Sequence, residues 1–564
     1  MMDSPKSVNL VWQALRRLER QMGNFLQWKA KYCKSDWTVY RDLMLTHSAN
    51  PVDSLLPGSG NHAIVIGAGL GGLASAMRLG AKGYRVTVID RLDMPGGRGS
   101  SITQGGHRFD LGPTIVTVPQ GLRDLWAVCG RDFDRDVDLR ALDAFYEIRW
   151  QDGSNFTARQ STDAMRAEVA RLSSDDLAGY DKFLRDSEKR YWFGFENLGR
   201  RSMHKLADLI KVLPTFAWLR ADKSVYAYAA SRVKDERLRF ALSFHPLFIG
   251  GDPFHVTSMY ILVSHLEKEF GVHYAMGGVG AIALAMAGVI GAQGGQLVLN
   301  AEVDEILLKD GRATGVRLAD GQVVNADIVV SNADAGHTYD RLMRNHSRKR
   351  WTPAKLARKR WSMGLFVWYF GTKGTALKWP GVGHHTIVVG PRYKQHIRDI
   401  FIRGKLADDM SLYVHRPSVT DPTAAPVGDD TFYALSPVPH LGFDNGVDWA
   451  EQAEPYRLKM QKMLEDRLLP GLGDHLSEQL VFTPNSFETR YLSPYGSGFS
   501  IEPRILQSAW FRPHNVSEEA KGLYLVGAGT HPGAGLPGVI ASAEVLGKLV
   551  PDAPRHAALR MAAE

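Results

Sequence analysis

From residue 62 onward, the alternation of apolar and polar positions predicts a βαβ unit. An apolar run at 63–66 (AIVI) is typical of a buried strand, and a glycine-rich turn follows it directly. A second apolar run at 86–90 (VTVID) predicts the next strand. The segment between them is apolar on one helical face, at Leu70, Leu73, Ala76, Met77 and Leu79. This order of elements opens a dinucleotide-binding fold.

A second pattern, at 297–333, alternates apolar and polar residues in short runs. Asp-Gly pairs at 310–311 and 320–321 separate the runs, and such pairs supply the positive φ that tight hairpin turns require. We therefore predict a β-meander over 297–333. Its last run, DIVVSNA, is continuously apolar at its centre, which indicates a buried parallel strand.

The first fifty residues differ from the rest. Residues 8–34 predict a basic amphipathic helix, with an apolar face at Val11, Leu15, Leu18, Met22, Phe25 and Leu26. Such a helix could lie on an anionic membrane, pack on its own domain, or precede a true start at Met44. The sequence leaves these three interpretations open. Clustered proline, glycine and serine at 50–60 predict a linker.

Length and charge narrow the function class. A chain of 564 residues is long enough for two or three domains. Its 44% hydrophobic and 23% charged residues are typical of a folded protein. The formal net charge of +8 favours an anionic surface as neighbour. No nucleic-acid reader motif accompanies it, so we expect no nucleic-acid partner.

The cysteines, the histidines and the longest apolar run bear on disulfides, metal sites and membrane spans. Cys33 and Cys129 are the only cysteines, and we expect free thiols in a reducing compartment. The 19 histidines show no HExxH or HxH spacing, so no metal site is predicted. The most apolar segment, 279–295, is broken by glycines and shorter than the roughly 20 residues of a membrane span. We expect no transmembrane helix.

The turn after the first strand carries the first chemical motif. Gly67, Gly69 and Gly72 form GxGxxG between a strand and a helix. The first glycine allows the sharp turn, the second lets the backbone approach a diphosphate, and the third lets helix and strand pack closely. Asp90 ends the next predicted strand, where an acidic side chain accepts hydrogen bonds from ribose hydroxyls. Together they predict a dinucleotide site.

A second cationic loop follows Asp90 at 95–99 (PGGRG), where a nicotinamide dehydrogenase would have an ordinary crossover helix. This glycine-glycine-arginine turn resembles the flavoprotein amine oxidase superfamily, and the resemblance implies that Gly97 and Arg98 help to hold the diphosphate of FAD. A stray arginine on a surface turn is the alternative.

Seven stretches together resemble one branch of that superfamily, the bacterial-type phytoene desaturases of carotenoid synthesis, and are most like those of purple bacteria. They lie at 67–100, 109–119, 243–274, 330–339, 411–442, 507–515 and 525–544. The resemblance implies an FAD-dependent dehydrogenase that converts 15-cis-phytoene through ζ-carotene to neurosporene, and in some members on to lycopene.

The fold implied is mixed α/β and α+β. A Rossmann-like FAD-binding domain is assembled from discontinuous segments at 62–140, 291–340 and 511–550. An inserted substrate and lid region at 141–290 faces the membrane, and a substrate-binding domain occupies 341–510. Residues 1–61 form an extension with its linker, and 551–564 a tail. Apolar runs at 244–251, 258–263 and 361–371 could line a tunnel for the substrate or could be ordinary core.

The C-terminal glycine loop (VGAGTHPGAGLPG, 526–538) completes this picture. No strand is predicted after the helix at 539–549, so the loop finishes the first nucleotide site and does not begin a second. We expect the strand at 522–526 to return to the FAD domain. Amides of Gly538, Val539 and Ile540 would then face the flavin ring, where the helix dipole favours negative charge. Many relatives have an acidic residue where this chain has 528–530 (AGT), which puts the ribitol contact in doubt.

The resemblance implies further site residues. Cofactor contacts are expected from Gly71, Arg91, Val303 and Gly527. Asp208 and Lys211 lie where related desaturases carry an acidic and a basic residue, although lysine here replaces arginine. They are a candidate catalytic pair or a solvated ion pair on a helix. His531 could move a proton near the flavin or cap a turn, and so could His245.

Partners follow from the same resemblance. We expect phytoene and partly desaturated polyenes as ligands, a lipid surface on the cytoplasmic side of the cell membrane, and oxygen or a quinone as electron acceptor. The sequence leaves the oligomeric state open. One alternative is another dehydrogenase, isomerase or oxygenase of carotenoids. A different class is a non-catalytic carrier of prenyl lipids, which would not need the diphosphate loops.

Overall fold

A computed structural model describes residues 61–444 and 446–554 of the chain. The predicted basic helix at 8–34, the linker at 50–60 and Cys33 lie outside the described residues, as does the tail from 555 onward. The described residues all belong to one compact unit that spans 57–564.

The described chain contains both strands and helices. The strands are β1 (His62–Ile66), β2 (Arg85–Ile89), β3 (Ser101–Gln104), β4 (His107–Asp110), β5 (Leu139–Ala141), β6 (Ala144–Arg149), β7 (Asn155–Arg159), β8 (His273–Ala275), β9 (Gln296–Val298), β10 (Val303–Lys309), β11 (Arg312–Leu318), β12 (Val323–Asn325), β13 (Ile328–Ser331), β14 (Gly364–Thr372), β15 (His385–Val388), β16 (Leu412–His415), β17 (Asp430–Val438), β18 (Leu476–Phe482) and β19 (Leu523–Leu525). The α-helices are α1 (Leu70–Ala81), α2 (Pro119–Val128), α3 (Phe133–Asp136), α4 (Thr162–Leu172), α5 (Leu177–Arg190), α6 (Leu206–Trp218), α7 (Val225–Ala230), α8 (Glu236–Ala241), α9 (Leu262–Phe270), α10 (Val279–Ala292), α11 (Ala335–His337), α12 (Pro353–Ala357), α13 (Tyr393–Arg398), α14 (Trp449–Arg467), α15 (Pro484–Tyr491) and α16 (Leu536–Leu549).

A five-stranded parallel sheet, in the order β19-β13-β1-β2-β9, carries the predicted βαβ unit. Helix α1 connects β1 to β2, and all five residues of β1 are buried. Strands covered on both faces need continuous apolar runs, which is what the sequence shows at β1 and β13. The prediction that 522–526 returns to this domain is confirmed, because β19 pairs with β13.

The predicted meander is confirmed in part. Strands β10, β11 and β12 form an antiparallel sheet. Its turns use positive φ at Asp310 (51°), Gly311 (72°) and Gly321 (92°). The first run was assigned wrongly: β9 pairs in parallel with β2 and belongs to the five-stranded sheet. A three-residue run is too short for its periodicity to reveal its partner.

A seven-stranded sheet, in the order β18-β14-β17-β16-β15-β6-β7, forms the second layer. It contains strands from both 141–290 and 341–510, which meet where β6 pairs in parallel with β15. Strand β14 is buried along its whole length and shows the period of two expected of a strand. Phe366, Trp368 and Phe370 join the aromatic core that includes residues of α14. Leu365, Val367 and Tyr369 line a cavity on the other face.

Within the described ranges, no helix combines the length and apolar character needed to cross a bilayer. The most apolar one, α10, is largely buried. Its residues share a hydrophobic core with those of α1 and β1.

Candidate functional site

A cavity of about 680 Å³ joins both glycine loops to the seven-stranded sheet. That volume is within the range of about 300 to 1,000 Å³ typical of ligand sites. The predicted cofactor residues in its lining are Gly67, Gly69, Gly71, Asp90, Arg91, Gly97, Arg98, Val303, Gly527, Gly538 and Val539. Gly72 and Ile540 are outside this lining.

The first glycine loop requires its glycines for space and for backbone angle. A β-carbon on Gly72 would lie 2.0 Å from the carbonyl oxygen of Gly67, whose own φ is +92°. One on Gly69 would lie 2.8 Å from the Nδ2 atom of Asn332. Any side chain at these positions would move the start of α1 away from the cavity, as the motif predicts.

Asn332 is a site residue that our sequence analysis did not identify. It follows β13, and its Nδ2 donates to the Gly67 carbonyl over 3.4 Å. A β-carbon on Gly71 or Gly527 would lie 2.7 or 2.6 Å from its Oδ1. Its side chain therefore stands between the N-terminal and C-terminal glycine loops. Its only signal in the sequence is its position after a buried strand.

Asp90 lies directly after β2, at the carboxyl edge of the parallel sheet. Its Oδ2 accepts from the Ala68 amide (2.6 Å) and its Oδ1 from the Leu92 amide (2.8 Å). Burial raises the pKa of this carboxyl, while the two amides act in the opposite direction. The side chain is thereby fixed beside the first glycine loop, where a nucleotide ribose is expected.

Arg98 is a half-buried cation that forms no ion pair with a carboxylate of the described residues. Its Nη2 donates to the Ser493 hydroxyl and, over 3.4 Å, to the Ser497 carbonyl. Its Nε is buried and has no hydrogen-bond partner in the part of the chain that the structure describes. Burial lowers the pKa of this guanidinium. Since an unpaired buried charge is costly, the site fits an anion such as a diphosphate.

Two neighbouring residues that were predicted to contact the cofactor, Arg91 and Gly97, hold parts of the protein together in this structure. Arg91 pairs with Glu302 (3.1 Å) and donates to the carbonyls of Thr489 (2.7 Å) and Arg490 (2.9 Å), which ties β2 to α15. Gly97 has a φ of +56°, and a β-carbon there would approach the Gly69 Cα to 3.3 Å. The two glycine turns are therefore in close contact.

The C-terminal loop requires one correction. Helix α16 begins at Leu536, not at Val539 as predicted, and the Val539 amide donates to the Gly535 carbonyl (3.0 Å). Proline favours the first turn of a helix, because its missing N–H would be unpaired there. That preference at Pro537 moves the start three residues earlier. Ile540 then lies inside the helix, and Gly538 is the predicted residue left in its first turn.

His531 lies in this loop and lines the cavity. Its Nε2 lies 2.9 Å from the Leu198 carbonyl and 3.1 Å from the Arg201 carbonyl, so it donates to both. Burial lowers its pKa to about 4, so the ring is neutral near pH 7. Its Nδ1 is buried and has no partner within residues 61–444 and 446–554. The histidine therefore fixes the loop through Nε2 alone.

Asp208 and Lys211 lie on α6, but neither is in the cavity lining, which that helix supplies through Leu209, Leu213 and Phe216. Among the ion pairs of the described residues, none joins Asp208 to Lys211, so the solvated ion pair considered above is not formed. Their catalytic role stays a prediction.

His245 belongs to a polar group in the cavity wall. Its Nε2 lies 3.0 Å from the Tyr146 hydroxyl and 3.3 Å from Oε2 of Glu267, and the Tyr146 hydroxyl donates to the same carboxylate (3.0 Å). His245 and Glu267 line the cavity. Neither Tyr146 nor Glu267 was predicted as a site residue, because the three residues come from separate elements and no short motif links them.

A second polar group was also missed. His384, His385 and His415 are buried with ring nitrogens within 4.8 Å of one another. They come together because β15 and β16 pair with His385 opposite His415. The Tyr413 hydroxyl contacts Nδ1 of His385 over 2.6 Å.

Taken together, the cavity has two chemically different ends. Glycine loops, a half-buried cation and an acidic strand end fit a flavin dinucleotide at one end. The remaining wall is mostly apolar and aromatic, and all three predicted runs contribute to it, for example through Phe248, Val263 and Val367. Such a wall suits a long hydrocarbon.

Comparisons with known proteins agree with this arrangement. The family model for flavin containing amine oxidoreductase matches residues 70–544. A neurosporene-forming phytoene desaturase from Cereibacter sphaeroides is 72% identical over 91% of this chain and 100% of its own length. A lycopene-forming phytoene desaturase from a Paracoccus species is 44% identical over 86% and 97%. In fold, the chain is similar to an oxidoreductase from Methanosarcina mazei, with a TM-score of 0.60 at 20% identity over 86% and 100%.

Proposed function

We propose that this chain, which belongs to the flavin-containing amine oxidoreductase family and within it to the phytoene desaturases, converts phytoene by successive FAD-dependent dehydrogenations to neurosporene. The observation that carries the proposal is the cavity, in which a dinucleotide site opens into an apolar, aromatic wall. Neurosporene is favoured over lycopene as product because the 72% identical relative forms neurosporene and the 44% identical one forms lycopene.

The chain's own residues bind and orient both ligands. A hydrocarbon offers no hydrogen bonds, so its affinity comes from burial, at about 0.8 kcal/mol per methylene. The side chains of Leu365, Val367 and Tyr369 present a continuous wall for it. When bound, the flavin supplies the acceptor for a hydride. The first turn of α16 lies at the cavity and directs a positive helix end toward any negative charge that develops there.

The test is a product analysis. FAD-loaded protein is incubated with 15-cis-phytoene in liposomes, once with oxygen and once with a quinone, and the polyenes are identified. We expect neurosporene to accumulate under at least one acceptor. Phytoene returned unchanged under both would contradict the proposal, and another carotenoid consumed instead would favour a related dehydrogenase. A carrier would show no saturable FAD binding, which the half-buried charge of Arg98 argues against.

A lipid surface is proposed as the source of substrate. Four apolar side chains that are each more than half exposed lie on one face of α6 or in the cavity lining. We call them the apolar rim, and they are Leu206, Ile210, Leu213 and Leu506. Leu213 and Leu506 also line the cavity, so the rim lies at its mouth. A substrate dissolved in the bilayer could then enter without crossing water.

Replacing Leu206 and Ile210 together by glutamate should release the protein from vesicles. Burying each side chain in lipid contributes about 1.5 to 3 kcal/mol, so we expect vesicle binding to fall by at least about 100-fold. Neither residue lines the cavity, so conversion of detergent-dispersed phytoene should remain. Co-sedimentation with anionic liposomes measures the first effect.

The matched control is Leu377→Glu with Val427→Glu, two exposed apolar residues outside the rim. It adds the same charge and should leave sedimentation unchanged. Equal loss in both double variants would mean that net charge, not the rim, governs binding. No loss in the rim variant would contradict the assignment.

A further inference from the structure

We propose that Tyr413 accepts the proton released in each dehydrogenation and passes its own hydroxyl proton to His385. This inference rests on the proposed function and adds to it a proton acceptor for the reaction. Tyr413 would be a catalytic residue in contact with substrate, and His385, which is not in the cavity lining, would act through it.

A continuous chain of hydrogen bonds carries the inference. The Thr114 hydroxyl lies 3.1 Å from the Tyr433 hydroxyl and 2.9 Å from that of Tyr413. The Tyr413 hydroxyl lies 2.6 Å from Nδ1 of His385. Thr114, Tyr413 and Tyr433 all line the cavity, and His385 is buried behind them. The chain therefore runs from the cavity into the sheet.

The chain of hydrogen bonds begins, at Thr114, close to the cofactor end. A β-carbon on Gly112 would be only 2.0 Å from the carbonyl oxygen of Arg98, so this strand end packs against the cationic loop. Thr114 follows two residues later. A carbon–hydrogen bond of the substrate held beside the flavin would therefore lie close to these hydroxyls, as proton transfer requires.

The proposed transfer sets the direction of donation. Tyr413 can pass its proton to His385 only if it donates to Nδ1 of that ring. The inference therefore assigns His385 the tautomer with hydrogen on Nε2 and a lone pair on Nδ1. Thr114 then donates to Tyr413 and accepts from Tyr433.

The step balances in atoms and charge. Hydride departure from an allylic carbon leaves a carbocation, which is a far stronger acid than an imidazolium. The adjacent C–H bond breaks, its electron pair forms the new double bond, and the proton bonds to the Tyr413 oxygen. The hydroxyl proton of Tyr413 moves to Nδ1 of His385. Once the product has left, the imidazolium returns a proton to Tyr413, which releases one proton to water entering the cavity, so that both residues regain their starting state.

A neutral acceptor suits an apolar cavity. Burial raises the pKa of Tyr413 well above its usual value and lowers that of His385 well below. Both groups are thus neutral before the reaction, so the hydrocarbon is not placed beside a desolvated charge. The faces of Tyr413 and Tyr433 would stabilise a transient carbocation through cation–π interaction.

Single-turnover conversion of phytoene under anaerobic conditions tests the step. Tyr413→Phe keeps the ring and removes the acceptor, and we expect the rate to fall at least about 100-fold with phytoene affinity unchanged. His385→Asn keeps a hydrogen-bonding group near Nδ1 but cannot take a proton, so it should lose as much. The double variant should lose no more than either single one, because the residues act as one unit.

The control is Tyr393→Phe, which removes a buried hydroxyl that lies outside the cavity lining and has no hydrogen-bond partner among the described residues, and it should leave the rate unchanged. A near-normal rate in His385→Asn would show that His385 only orients Tyr413, and this result would overturn the proposal. A loss in Glu267→Gln but not in Tyr413→Phe would make Glu267 the base instead. If wild type itself leaves phytoene unchanged, the proposed function fails; if it converts phytoene and the variants do too, only this inference fails.

A second measurement needs no FAD. Nitrogen-15 NMR of histidine-labelled protein, with His385 assigned through the His385→Asn spectrum, should show hydrogen on Nε2, and Tyr413→Phe should shift the Nδ1 resonance. The opposite tautomer would overturn the inference. So would one tightly bound transition metal per purified chain, because the ring nitrogens of His384, His385 and His415 lie within 4.8 Å of one another and would then be occupied.

Discussion

Arg98→Leu is expected to weaken FAD binding by about 30-fold to several thousand-fold while making the cofactor-free protein more stable. Loss of one partner from a buried charge pair costs about 2 to 5 kcal/mol of binding. Without a ligand, however, the guanidinium is a half-buried cation whose buried Nε has no partner among the described residues. Its replacement by an apolar side chain removes that desolvation cost. FAD titration and urea unfolding of the cofactor-free protein measure the two effects.

Arg512→Leu is the comparison, because Arg512 is a buried arginine whose Nε likewise has no partner among the described residues, but whose other nitrogens donate to three backbone carbonyls. Its guanidinium donates to the carbonyls of Ile501 (2.9 Å), Ala528 (2.8 Å) and Gln507 (3.4 Å). Its loss should destabilise the cofactor-free protein, since buried carbonyls would lose their donors. If the free energy of unfolding changes with the same sign in both variants, the charge of Arg98 does not serve mainly to bind an anion.

The parts of the fold that the sequence predicted correctly depend on local patterns. The turn at Gly67 and the Asp-Gly turn at 310–311 need particular backbone angles, and only certain residues supply them. Where the local pattern was ambiguous, the prediction failed. Strand β9 was assigned to the wrong sheet, and α16 was started at Val539 because its first residues, LPG, resemble a turn.

The unpredicted site residues depend on contacts between distant parts of the chain. Asn332 reaches two glycine loops that are hundreds of residues apart in sequence. Tyr413 contacts His385 because β15 and β16 pair. It also contacts Thr114, which lies 299 residues earlier in the chain. No short sequence motif indicates such long-range contacts. The cofactor end was therefore predictable from motifs, whereas the polar groups of the substrate end were not.

Acid should destabilise the fold between about pH 6.5 and pH 4, through buried histidines. Burial lowers the pKa of His384 to about 3 and that of His396 and of His531 to about 4. In the unfolded chain each titrates near 6.5. The unfolded state thus binds more protons in this window, so stability falls as pH falls. At 1.36 kcal/mol per pKa unit, each contributes up to about 3 kcal/mol, a large part of a typical 5 to 15 kcal/mol.

His396→Leu isolates one of these contributions. Its ring is buried outside the cavity, and its Nδ1 has no hydrogen-bond partner in the described part of the chain. The charged groups that act on it are Asp409, Asp399 and Arg392. Carboxyls whose pKa is raised by burial, such as Asp110 and Glu502, act in the opposite direction, but they are common to both proteins. The free energy of unfolding of the variant, followed by urea titration, should therefore fall less steeply than that of wild type, by up to about 1.4 kcal/mol per pH unit between pH 6.5 and 4. Parallel curves would mean that His396 is protonated in the folded protein as readily as in the unfolded chain.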